Sequence, residues 1–90
     1  MKTIDESVQV QAQTSKGRIV PVLVTWKGKS YTIARIEKMR KQKVKGRHFE
    51  TMKVKVLAWR SMQLELDHHQ KSWRLLAIED ERDNLSRFAI

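Results

Sequence analysis

The 90-residue chain contains no cysteine. That excludes a disulfide framework, a thiolate zinc site and a cysteine nucleophile, and leaves packing alone to hold the fold. Proline occurs once, at Pro21, and glycine three times, at Gly17, Gly28 and Gly46. No stretch approaches the roughly 20 apolar residues that a spanning helix needs, and the Met1 to Glu6 segment lacks the apolar run of a signal peptide. These absences predict a soluble cytoplasmic protein with no membrane span. Acids are also scarce, with 10 Asp and Glu against 19 Lys and Arg, a formal charge of +9. A field of that sign attracts polyanions, which makes nucleic acid the leading partner class, ahead of an anionic membrane surface or an acidic protein. Hydrophobic residues at 40% and charged residues at 32% fit one compact domain over residues 1–90 with a polar surface.

What is present is a hydrophobic period of two, the signature of strands whose successive side chains point to opposite faces. From Ser7 to Gln13, Val8, Val10 and Ala12 alternate with Gln9, Gln11 and Gln13, and Thr14-Ser15-Lys16-Gly17 supplies a turn. Arg18 to Trp26 is apolar on both faces. Pro21 cannot donate to a ladder, so it predicts a sheet edge, a bulge, or a strand that begins near Val22. Trp26-Lys27-Gly28-Lys29-Ser30-Tyr31 places a glycine in a short polar loop between two strands, the next hairpin connection. After Ile33 the apolar phase slips to Ala34 and Ile36, and after Leu75 it slips to Leu76 and Ile78, which predicts two β-bulges. Met52, Val54, Val56 and Ala58 alternate with Lys53 and Lys55, and Met62, Leu64 and Leu66 alternate with Gln63, Glu65 and Asp67. Trp59-Arg60-Ser61 is either a tight turn or a bend in one strand, and His68 to Lys71 is a polar loop. Beyond Asp80, a candidate N-cap, Leu85, Phe88 and Ala89 fall at helical spacing. The expected fold is therefore all-β, with five or six antiparallel strands in a meander over 7–78. Bulges curl it into a small open barrel, and a short C-terminal helix over 80–89 covers the sheet. Val22, Val24, Ile33, Val54, Val56, Leu64, Leu66 and Leu75 form its expected core.

Between Arg35 and Lys55 nine cations face two acids, Glu37 and Glu50, a net +7 over 21 residues. Lys38, Arg40, Lys41, Lys43, Lys45 and Arg47 occupy a basic loop or extended hairpin over 38–47, and Lys53 and Lys55 continue the stripe onto the next strand. Several cations at chain-like spacing suit phosphate binding, because affinity comes largely from counterion release. They also suit a solvated, solubilising tip or an acidic protein partner. Phe49 and Trp59 are the candidates for stacking on unpaired bases, whereas Trp26, Tyr31 and Trp73 sit where alternation buries them. Lysines position phosphates without reading bases, so weak sequence preference is expected. Glu65, Asp67, His68 and His69 cluster in sequence, but adjacent histidines in extended chain point apart and no HExxH spacing occurs, so no metal site is expected. No GxSxG elbow, phosphate-binding glycine loop or carboxylate pair can be assembled, which predicts a non-enzymatic module without a cofactor.

The pattern Trp26-x-Gly28-x-x-Tyr31-x-Ile33-x-x-Ile36, followed by Leu64-Glu65-Leu66-Asp67 and Trp73-x-Leu75, resembles a family of small uncharacterised bacterial all-β domains over roughly residues 20–80. The resemblance implies a β fold and an accessory role in nucleic-acid metabolism. The lysine-rich stretch and the glutamine-rich first strand depart from that family.

Overall fold

A computed structural model describes residues 2–57 and 60–80, with Asp80 described for its backbone only. Six antiparallel strands follow one another in chain order: β1 (Lys2–Ser15), β2 (Arg18–Trp26), β3 (Lys29–Val44), β4 (Arg47–Val56), β5 (Arg60–Asp67) and β6 (Ser72–Asp80). Each pairs with the next, and β6 returns to pair with β1, so the meander closes into a ring. The small open barrel expected from the sequence is instead a closed ring. Closure removes the edges that β1 and β6 would otherwise present to other chains. Among the described residues there is no helix, and none long and apolar enough to cross a membrane. Asp80, expected to cap the C-terminal helix, instead ends β6, where its backbone pairs with Arg60. The remainder of that expected helix, 81–89, lies outside the described residues.

Both anticipated bulges are present. Ile33 pairs with Val56 and Arg35 with Lys55, which leaves Ala34 as the extra residue, and Gln63 pairs with Ala77 while Leu64 pairs with Leu75, which leaves Leu76. Pro21 is accommodated the same way: Gln11 pairs with Leu23 and Ala12 with Pro21, so Val22 is bulged out of register. That shift explains why Pro21 is buried and Val22 only half-buried, the reverse of the expected order. A further bulge, at Glu37, corresponds to the three-residue interval from Ile36 to Met39, which was not anticipated.

The core is Val24, Met52, Val54, Val56, Met62, Leu64, Leu66, Trp73 and Leu75, with Ala77 also buried. Only Val24 of these comes from the first three strands. Ile33, expected at the centre, is half-buried and packs against the cluster with Trp26, Tyr31 and Ile36. The Tyr31 hydroxyl accepts a hydrogen bond from Arg60 Nη1 at 3.2 Å, and the guanidinium lies 5.8 Å from the ring centroid.

Candidate nucleic-acid interface

The stretch over 38–47 is not a loop. It is the distal part of a β3–β4 hairpin whose pairing runs without interruption from Lys38↔Lys53 to Val44↔Arg47 and turns on Lys45-Gly46. Both turn residues have positive φ, 50° for Lys45 and 79° for Gly46. Positive φ at both central residues defines the type I′ turn, whose twist matches that of the flanking strands and which glycine occupies at least steric cost. The hydrophilic composition suggested a loop, but cross-strand pairing needs only backbone groups.

Strand pairing sorts the cations by face, because residues directly opposite share a side of the sheet. Met52, Val54 and Val56 point into the ring, and on the same side lie Glu50 with its partner Lys41 and His48 with its partner Lys43. The other side carries Lys38 opposite Lys53, Arg35 opposite Lys55, and Arg40 opposite Thr51. The eight basic residues expected to act together are thus divided. Lys38, Arg40, Lys53 and Lys55 form one outer patch, Lys41 and Lys43 face inward, Lys45 sits in the turn, and Arg47 lies on the outer side at the tip. Arg35 joins the outer patch, which sequence reasoning missed. Its signal was the phase slip at Ala34, since the bulged residue is what turns Arg35 outward. The centre of the patch is a cleft of about 480 Å³ lined by Lys38, Arg40, Thr51, Lys53, Gln63 and Glu65.

Arg47 and Phe49 belong to a separate arrangement. Arg47 Nη2 donates to Asp67 Oδ2 at 2.6 Å, and its guanidinium lies 5.6 Å from the centroid of the Phe49 ring. Asp67 Oδ1 accepts the backbone N–H groups of His69 at 2.9 Å and Gln70 at 3.3 Å. Desolvation opposes ionisation of Asp67, but these two amides and the Arg47 charge outweigh it and hold its pKa below the usual carboxylate value. Arg47 is therefore already neutralised by a carboxylate, and Phe49 already carries a cation. Trp59, the other stacking candidate, lies outside the described residues.

The inward-facing group has its own geometry. Glu50 is buried, and its Oε1 lies 3.0 Å from His68 Nε2. A cleft of about 280 Å³ beside this pair is lined by Lys41, Gln42, His48, Phe49, Glu50 and His68. The sequence cluster of Glu65, Asp67, His68 and His69 does not converge: Glu65 pairs with Arg74 on the outer side, Asp67 binds Arg47, and His68 turns to Glu50. Among the described residues no group of three or more His, Asp or Glu is placed to hold a metal ion. Compared with protein-family models, curated proteins and solved structures, the chain gave no match.

Proposed function

We propose that the chain is a non-enzymatic nucleic-acid-binding module that contacts phosphates through the outer face of the β3–β4 hairpin. The observation that carries this reading is the like-charged cross-strand position Lys38↔Lys53, beside which Arg35 is held by Glu37 at 3.4 Å. Like charges directly opposite one another destabilise a sheet, and a bound polyanion converts that repulsion into attraction. Arg40 adds a further cation to the patch, and Lys41, Lys43 and Arg47 are turned away from it or held by acids. The accessory role in nucleic-acid metabolism implied by the family resemblance has the same partner class. Lysines that dominate this surface position a backbone without reading bases, so the patch itself confers weak sequence preference.

Titration of labelled single-stranded oligonucleotides across salt concentrations tests the assignment. If Lys38, Arg40, Lys53 and Lys55 each neutralise a phosphate, the logarithm of affinity falls against the logarithm of salt with a slope near −2.8, from about −0.7 per contact. Lys38→Gln with Lys53→Gln flattens that slope by about 1.4, whereas Lys41→Gln with Lys43→Gln leaves it nearly unchanged. Absence of binding at low salt, or equal flattening by the two double variants, would refute the outer face as the interface.

A further inference from the structure

The β1–β2 hairpin leaves the ring as a free-standing arm. Strand β1 pairs with β6 only as far as Val8, and β2 pairs with β3 only from Leu23 onward. Between Gln9 and Val22 the two strands therefore pair only with each other among the described residues, with Val10 packed against the core and Pro21 buried at the base of the arm. Every residue from 11 to 19 is exposed, on both faces of the ribbon. A two-stranded ribbon of this kind is at best marginally stable alone, and the arm contributes little to the core.

One side carries a row of glutamines on β1, with Thr25, Leu23 and Val20 opposite them on β2. Gln9, Gln11, Gln13 and Ser15 project from the same face of β1, and Arg18, opposite Ser15, joins them from β2. The arm turns on Lys16-Gly17, with positive φ at both residues. No carboxylate occurs between Glu6 and Glu37, while Lys16, Arg18, Lys27 and Lys29 fall within that span. Alternate residues on an antiparallel strand are about 6.8 Å apart, which equals two base-pair steps of about 3.4 Å. The major groove of B-form DNA, about 12 Å wide, admits a two-stranded ribbon, and glutamine is a bidentate partner for adenine there.

We propose that the β1–β2 arm lies in the major groove of duplex DNA, where Gln11 and Gln13 read adenines two base-pair steps apart while Lys16 and Arg18 contact the flanking backbone. This rests on nucleic acid being the ligand of the protein and adds duplex form and sequence preference to that reading. A-form RNA is excluded as the target because side chains cannot read its deep, narrow major groove.

Selection from a randomised pool of short DNA duplexes, followed by titration of the selected sequence, tests the proposal. The enriched duplexes share two adenines separated by one base pair, and replacing either adenine weakens binding about ten-fold. Gln11→Ala with Gln13→Ala abolishes that discrimination and leaves the salt slope unchanged, because no charge is removed. Both positions are exposed, so the variant melts like the parent, and a matching circular dichroism melt confirms that any loss is not unfolding. Duplex binding without an adenine preference, a preference that survives in the variant, or tighter binding to double-stranded RNA would overturn the arm's role while leaving phosphate contact by β3–β4 intact. Failure of every nucleic acid to bind at low salt would overturn both.

Discussion

Lys53 occupies the middle of the outer patch, between Lys38 on β3 and Gln63 on β5. Replacing it with glutamate turns a repulsive cross-strand pair into an attractive one. A favourable charge pair at directly opposite positions contributes about 0.2–1 kcal/mol, and a like-charged pair costs a similar amount, so the exchange is worth about 0.4–2 kcal/mol. Glu65 lies two residues beyond Gln63 on the same face of β5, opposite Thr51, and its diagonal repulsion takes back part of the gain. A net stabilisation of about 1 kcal/mol raises the melting temperature of a domain this small by roughly 4–8 °C. The Lys53→Glu variant should therefore melt higher than the parent at low ionic strength, with the difference shrinking near 1 M salt, where the Debye length is about 3 Å. It should also bind oligonucleotides more weakly, because a cation is lost and an anion is placed among the remaining ones. Stability and binding are expected to move in opposite directions from one substitution. A lower melting temperature at low salt, or a gain that persists unchanged at 1 M, would show that cross-strand charge is not what Lys53 contributes.

Val54→Asp places an unpaired charge in a fully buried position and is expected to abolish the cooperative melt followed by circular dichroism. Leu64→Ala, also at a fully buried site, should cost about 2–5 kcal/mol by denaturant titration, with the spread set by how far the neighbours collapse. Asp67 has its pKa held below the unfolded value, so its contribution to stability is complete above about pH 4 and is lost as pH falls through the folded pKa. An Asp67→Asn variant should lack that part of the acid dependence in melts between about pH 5 and 2. At Gly46, where φ is 79° and an added Cβ would meet nothing within 4 Å, substitution by alanine carries only backbone strain. It should destabilise the protein by about 1 kcal/mol.

The amino-acid pattern disclosed more of the sheet than of the site. Period-two alternation placed β4 and β5 and most of the core because one face of each is wholly buried, so a wrong register would expose Val54 or Leu64. The slips at Ala34 and Leu76 were visible for the same reason, since apolar residues changed phase across them. The bulge at Glu37 was missed because the three-residue interval from Ile36 to Met39 is followed by Arg40-Lys41-Gln42-Lys43, with no further apolar alternation to fix the new phase. Closure of β6 onto β1 was equally hidden, being a contact between residues about 70 positions apart that neither strand announces locally. Within the site, the cations were legible as a set, but their division into an outer patch and an inward pair was not. That division follows from which β4 residue each β3 residue opposes, and register is a tertiary property. Capture of Arg47 by Asp67 likewise depends on β4 and β5 lying side by side.

The arrangement separates the residues that hold the molecule together from those free to bind. Among the described residues, nine of the ten buried hydrophobic ones lie on β4, β5 and β6, three strands joined edge to edge along most of their length. The first three strands bury Val24 and Pro21 and otherwise carry half-buried or exposed side chains, and β2 pairs with β3 over only Leu23–Trp26 and Lys29–Thr32. Away from that short seam, β2 and β3 diverge, each keeping its hairpin partner. The divergence yields two projecting surfaces, one basic and one rich in glutamine, on scaffolds anchored in the ring. Charge-neutral substitutions at their exposed positions, Gln11 and Gln13 among them, should leave the core intact, since such positions away from caps and buried networks shift stability by only about 0.5 kcal/mol. A lysine-rich β3 also guards its own unpaired edge against pairing with other chains, so the same charges oppose edge pairing and form the proposed binding face. The two roles separate by position: edge protection requires only that cations line β3, whereas the proposed phosphate contact also uses Lys53 on β4, which has a strand on both sides and no edge to protect.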